Sequence, residues 1–360
     1  MNKSSSPRTH QDTVASGTLL YGLHDKPAPM KATLAALQHV LASFVGIITP
    51  SLVIGGVLGL GEHIPYLISM ALVVSGVATF IQSRKIGPVG SGLMSVQGTS
   101  FGFLSAILAA GFIVKGKGGS TEDILAVIFT VTFVGAFIEI IFSQFITKLK
   151  TFMSPIVTGC VIVTIGLSLT KVGLTDLAGG FKAEDFGSLS NLALGGSVLL
   201  IVILISTVKN RYIRSNAICI ALMAGLFISI FLGKIDFSKV AEAPLFTAPL
   251  PFKYGFSFDL QAFIPIALMY VITTIETAGD LTATSVISKE PIKGPIYQQR
   301  IKGGVMADGV NSMLAGIFNT FPNTTFSQNN GVIQMTGVAS RHVGMYVGGL
   351  LLLMGMFPVL

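Results

Sequence analysis

The residues of this chain that could do chemistry are few and lie in apolar surroundings. Glu276 and Asp280 sit in Tyr270-Val271-Ile272-Thr273-Thr274-Ile275-Glu276-Thr277-Ala278-Gly279-Asp280. Four residues apart, they share one helix face. Asp308 lies in the next apolar run, Val305-Met306-Ala307-Asp308-Gly309, and His39 follows Gln38 in the first. Ionisable groups among lipid-depth residues are expensive and mark a functional site by default. A carboxyl there can hold and release a proton. Protonated, it donates a hydrogen bond; ionised, it accepts. Each group also has a plainer reading. His39 could be a hydrogen-bonded packing histidine, Asp308 could cap a helix or pair with a neighbour, and Asp280 could be solvated near a helix end. Glu276 is the hardest to assign to packing.

Two further stretches carry polar groups. Gln328 and Asn329 each offer an amide donor and acceptor on one planar group, a set that suits the amide-like edge of a purine-dione. They belong to Phe321-Pro322-Asn323-Thr324-Thr325-Phe326-Ser327-Gln328-Asn329-Asn330-Gly331. The earlier stretch Ser95-Val96-Gln97-Gly98-Thr99-Ser100-Phe101-Gly102-Phe103 is similarly poor in helix formers, and Thr99-Ser100-Phe101 resembles Thr324-Thr325-Phe326. Irregular backbone at membrane depth is tolerated only where protein buries it or where it lines a cavity. Paired interrupted segments point to a transporter's binding site. Small residues also enrich helix interfaces in membranes, so the first stretch admits a packing reading. Gln-Asn-Asn is too polar for packing alone.

The elements that must position these groups are membrane spans. The 360 residues are 51% hydrophobic and 11% charged, whereas soluble domains carry about 25% charged residues. A span needs about 20 mostly apolar residues. Eleven segments qualify, near 32–58, 64–82, 92–114, 124–147, 152–170, 193–208, 215–233, 261–282, 302–320, 323–340 and 342–360. With a cytoplasmic N-terminus, alternation puts Lys115, Lys117, Lys171, Lys182, Lys234, Lys239 and Lys253 outside and the rest of the 23 Lys and Arg inside. That bias follows the positive-inside rule. The polar residues 1–30 read as a disordered cytoplasmic tail with no cleavable signal peptide.

Other classes fit poorly. Cys160 and Cys219 lie inside apolar runs and form no disulfide or metal pattern. The net charge of +7 is dispersed between apolar runs rather than gathered for nucleic acid. An anion carrier would place a cation near its site, yet no Lys or Arg lies between Gln328 and Arg341. No nucleophile or metal motif supports an intramembrane enzyme, and no cofactor is implied.

At these residues the sequence resembles the nucleobase–ascorbate transporter family, in its bacterial xanthine permease branch. The family signature stands here as Gln328-Asn329-Asn330-Gly331-Val332-Ile333-Gln334-Met335-Thr336-Gly337, continued by Val338-Ala339-Ser340-Arg341. Gln38-His39-Val40-Leu41-Ala42, Val89-Gly90-Ser91-Gly92-Leu93, Ile165-Gly166-Leu167-Ser168-Leu169, Phe252-Lys253-Tyr254-Gly255, Glu276-Thr277-Ala278-Gly279-Asp280-Leu281-Thr282-Ala283-Thr284 and Lys302-Gly303-Gly304-Val305 add to it. The resemblance runs from about residue 20 to the end.

The resemblance implies an all-α polytopic membrane protein, built as an inverted seven-segment repeat with core and gate domains. Two short strands would cross at the site. Residues 31–150 would supply core segments, 151–258 gate segments, and 259–360 the remaining core segments. The family has fourteen spans, so the last three gate segments would lie beyond the eleven seen here. The implied activity is proton-coupled symport of a purine base, xanthine first, across the inner membrane. Uric acid, guanine or hypoxanthine are alternatives, and sodium coupling stays open. Glu276 and Gln328 would bind the base, Asn329 would tune selectivity, and Ser100, Phe101 and Phe326 would shape the pocket. Asp280 and Asp308 would serve coupling, with His39 and Gln97 in support. The family dimerises through gate segments, so a homodimer is a further expectation.

Overall fold

A computed structural model describes residues 19–146, 173–180, 183–209, 217–234 and 244–358, with residues 163, 167, 170 and 213. The expected segment near 152–170 and residues 1–18 of the expected tail thus lie largely or wholly outside the described residues. The architecture is helical. In chain order the elements are α1 (Pro29–Leu58), α2 (Ile64–Arg84), β1 (Gln97–Thr99), α3 (Leu104–Gly116), α4 (Thr121–Phe145), α5 (Leu189–Ser206), α6 (Ala217–Phe231), α7 (Leu260–Ile287), α8 (Gly294–Ile317), β2 (Asn323–Thr325), α9 (Gln328–Thr336) and α10 (Arg341–Met356).

Local chemistry sets the ends. Pro29 opens α1 where its missing N–H is harmless, and Gly59 closes it in the left-handed conformation. Ser120 and Asp123 form a reciprocal capping box at the start of α4. Asp259 accepts from the backbone N–H groups of Gln261 and Ala262 to start α7. The α7 helix runs five residues beyond the expected 282. Thr284 and Ser285 return hydrogen bonds to the carbonyls of Asp280 and Leu281, so a polar turn stays helical. Asp280 is therefore not near a helix end: it is interior and buried.

Helices pack through small residues. At Gly76 of α2, a Cβ would meet the Gly348 carbonyl of α10 at 2.6 Å, so the two backbones touch. The α8–α4 contact works likewise: a Cβ on Gly309 would lie 3.0 Å from the Ile140 backbone nitrogen. By contrast α5 leaves Leu199, Leu200, Ile203 and Leu204 each more than half exposed. Its length and composition suit a membrane span. Five helices among the described residues are long and apolar enough to cross a membrane.

Both broken stretches unwind as expected. In place of one span at 92–114, the chain forms β1 and the 13-residue α3; in place of one at 323–340, it forms β2 and the nine-residue α9. The strands pair antiparallel, Gln97 with Thr325, Gly98 with Thr324 and Thr99 with Asn323. All six residues are buried, so strand pairing satisfies backbone groups that have no water to turn to. The Ser100 N–H donates to the Pro322 carbonyl at 2.8 Å, and the Phe326 N–H to the Val96 carbonyl at 2.9 Å. The pair lies between two apolar clusters. One gathers Phe103, Leu125, Tyr270 and Phe321; the other gathers Val40, Ile47, Phe326, Ile333 and Val347.

Candidate functional site

The strand pair is held from both sides by hydroxyl groups. On α2, Thr79 accepts from the Gln97 backbone N–H at 2.9 Å. On α8, Ser312 accepts from the Asn323 N–H and donates to the Asn323 carbonyl, each at 3.1 Å. Side chains replace the partners that a wider sheet would supply. This fixes the height at which α3 and α9 begin.

Three sequence-identified carboxyls converge there. Asp280 accepts from Thr325 Oγ1 at 2.9 Å and from Ser327 Oγ. Asp308 accepts from Thr277 Oγ1 on α7 and, at 3.4 Å, from Thr324 Oγ1 on β2; its Oδ1 has no partner. Glu276 is partly buried, one turn before Asp280, and its Oε2 faces Gly102 just past β1. A Cβ on Gly102 would lie 3.8 Å from that oxygen and 3.4 Å from Ser100 Oγ. The side chains that donate to Asp280 and Asp308 among the described residues are hydroxyls. The ion pairs among the described residues, Lys117–Asp259, Lys234–Asp185 and Arg300–Glu290, involve none of these carboxyls.

The amide-bearing residues meet the first helix. Gln328 Nε2 and the Phe326 ring both press on Gly46 of α1, each 3.1 Å from the position of an added Cβ. The Phe326 ring also covers Gly98 of β1 so closely that a Cβ there would lie 2.4 Å from it. Asn329 Nδ2 is 3.0 Å from His39 Nδ1 and donates to the His39 carbonyl at 3.3 Å. His39 is thus tied to the site rather than to remote packing. Asn329 Oδ1 and His39 Nε2 are buried without partners. Gln97 is fully buried, with Oε1 3.5 Å from Asn311 Nδ2 and Nε2 unpartnered. Ser100 Oγ is buried and unpartnered as well, while Phe101 is only partly buried. Beside this region, a cavity of about 500 Å³ separates Val45, Thr49 and Gly56 of α1 from Asp176 and Gly180.

Sequence reading missed several groups. Glu139, on α4, is 1% exposed, with Oε1 unpartnered. It lies near enough to Asp308 and Glu276 to feel their charge. Its signal was present in Phe137-Ile138-Glu139-Ile140-Ile141, a carboxyl in an apolar helix. Ser327, Thr325 and Thr277 had no such signal, because hydroxyls are common in membrane helices and only tertiary contact selects these three.

Such an arrangement can bind a planar polar molecule between amides and carboxyls and can exchange protons at the carboxyls. Comparisons with known proteins place this chain among permeases. A family model described as "Permease family" matches residues 30–360. The chain is 42% identical over 350 residues to the "Xanthine permease XanQ" of Escherichia coli strain K12, covering 96% of this chain and 75% of that protein. It is 42% identical over 345 residues to "Xanthine permease XanP" of the same strain, covering 94% and 74%. Among solved structures, it is similar to the transmembrane domain of the cyanobacterial bicarbonate transporter BicA, with TM-score 0.55 and 17% identity over 92% of this chain and 84% of that one. At that identity the likeness concerns the fold alone.

Proposed function

This chain belongs to the permease family, in the nucleobase–ascorbate transporter group that contains the xanthine permeases, and from that premise we propose that it carries xanthine with protons by alternating access. It is a transporter, not an enzyme. One observation carries the reading: a buried strand crossing joins carboxyls of α7 and α8 to β2, and Ser327, immediately before Gln328, donates to the same Asp280.

In this reading Glu276 and Gln328 grip opposite edges of the base. Amide pairs recognise a dione through matched donors and acceptors, and an unmatched group is left unpaired at the penalty of a buried polar atom. Asn329, oriented by His39, tunes that match. Ser100 contributes polar contact, and Phe101 and Phe326 supply apolar and stacking surface. Asp280 and Asp308 serve coupling, with Gln97 supporting the strand. Proton and base favour the same state, so each raises the other's affinity.

The two strands descend from the two halves of an inverted repeat, in line with Thr79 and Ser312 playing matching parts. The core, 31–150 and 259–360, rocks against the gate beginning at 151–258. The cavity between α1 and Asp176 lies along that division. The protein works in the inner membrane with its N-terminus in the cytoplasm, as a homodimer.

A bicarbonate-like cargo is disfavoured because, among the described residues, the site's acids pair with no cation. Uptake of labelled xanthine in a strain lacking its own purine permeases tests the proposal, with competition by uric acid, guanine, hypoxanthine and uracil. Xanthine uptake that rises with an imposed proton gradient is expected. No uptake above the empty strain, or transport by Glu276→Ala equal to wild type between about pH 5 and 8, overturns it.

A further inference from the structure

Away from the strand crossing, a second polar cavity lies where α2 ends and α10 begins. Its volume is about 380 Å³, and Ser83, Arg84, Lys85, Arg341, His342 and Met345 line it. Four of the six are basic or can become so. Lys26 and His24 also lie near His342. None of these groups takes part in an ion pair among the described residues. The nearby carboxylate of Asp25 is engaged, accepting from the Gly22 N–H at 2.7 Å.

Two further features point to a ligand. Ser83 is fully buried, lines the cavity, and its hydroxyl has no partner. Lys85 holds a backbone φ of 58°, a conformation unfavourable for a residue with a Cβ. That bend turns its side chain over Gly92, where an added Cβ would lie 3.8 Å from Lys85 Cδ and 4.0 Å from Arg341 Nη1. Both basic side chains thus reach the space over Gly92.

A cluster of basic side chains with an unsatisfied hydroxyl, at the end of the membrane-crossing α2, fits a phosphate-bearing anion. We infer that this cavity binds the phosphodiester headgroup of an anionic phospholipid, with Arg84, Lys85 and Arg341 on its oxygens and Ser83 donating to it. Basic pockets between helices at the membrane surface suit such headgroups. The headgroup bridges α2 and α10, whose backbones touch at Gly76 and Gly348. Because α2 carries Thr79, the anchor of β1, a lipid there steadies the frame of the transport site. This assignment does not depend on the identity of the transported base.

The test uses the purified full chain in neutral detergent, read by circular dichroism through thermal unfolding, since the chain has no Trp. Phosphatidylglycerol is expected to raise the midpoint by about 3 °C or more, and phosphatidylcholine to leave it unchanged. In Arg84→Gln/Arg341→Gln the rise disappears; in Lys117→Gln, a lysine elsewhere on the surface, it persists. If inorganic phosphate gives the same rise and phosphatidylglycerol adds nothing to it, the site takes free phosphate and the lipid assignment falls. Equal responses of wild type and the double variant overturn the site altogether. Should the double variant not fold, Ser83→Ala replaces it, with lipid retention in native mass spectrometry as readout. Unchanged retention of phosphatidylglycerol then counts against the site.

Discussion

Ser327 Oγ donates to Asp280 across both carboxylate oxygens, 2.6 Å from one and 2.7 Å from the other. The contact joins the interior of α7 to the residue that opens α9, immediately before Gln328. The Asp280 carboxyl is therefore tied to the backbone within two residues of the amide pair. Carboxyl and amides are one mechanical unit although 48 positions separate Asp280 from Gln328 in the sequence.

Removing that link should disturb transport more than folding. For Ser327→Ala we expect xanthine KM to rise about 5- to 30-fold, the equivalent of roughly 1–2 kcal/mol for leaving a buried acceptor without its donor. Uptake kinetics measure it, with surface amount checked by immunoblot. Ser327→Thr, which keeps the hydroxyl, should restore much of the affinity.

Space behind the amides is equally constrained. Gly46→Ala places a methyl 3.1 Å from both Gln328 Nε2 and the Phe326 ring. The amide must shift by a few tenths of an ångström, so affinity should fall severalfold while expression holds. Gly98→Ala, with its methyl 2.4 Å from the Phe326 ring, should lose uptake almost entirely, because the ring has to leave its place. Equilibrium binding of xanthine to the purified variants ranks the two.

The Asn329–His39 pair should behave as a coupled unit. His39→Ala and Asn329→Ala each remove one side of the 3.0 Å contact. Their effects on binding should be non-additive in a double-mutant cycle by about 0.5–3 kcal/mol. Strict additivity would place His39 outside the site.

Glu139 should tolerate loss of its acidity better than a reversal of charge. Glu139→Gln keeps shape and hydrogen-bonding capacity and should fold, whereas Glu139→Lys puts a cation where the carboxyl is 1% exposed and should reduce the folded yield sharply. Fluorescence-detected size exclusion separates them. If Glu139→Lys elutes as wild type, the burial described here is wrong.

Outside the spans, the Lys117 contact at 2.5 Å and the Ala262 N–H hold the Asp259 carboxyl below its ordinary range. A lowered folded-state value stabilises above the unfolded value and is lost as pH falls through the folded one. Lys117→Ala should therefore be less stable than wild type near neutral pH and lose less of its thermal stability on acidification, the two proteins converging once pH falls below the folded-state value of Asp259. The effect is small because Lys117 is half exposed.

Much of this was legible in the chain alone. Runs of some 20 apolar residues determine a lipid environment, since no water-soluble fold can bury them. The unwinding at 95–103 and 321–327 follows from Gly, Pro and hydroxyl residues where a helix needs strong formers. Glu276, Asp280, Asp308 and His39 stood out because charge in apolar surroundings is costly wherever it falls. Tertiary structure alone decided the partnerships. The strand register set Gln97 against Thr325, gave Asp280 to Thr325 and Ser327, gave Asp308 to Thr277 and Thr324, and brought Glu139 in from α4. Local composition reports the penalty of placing a group at depth. Which hydroxyl offsets that penalty depends on elements distant in sequence, and only packing brings those together.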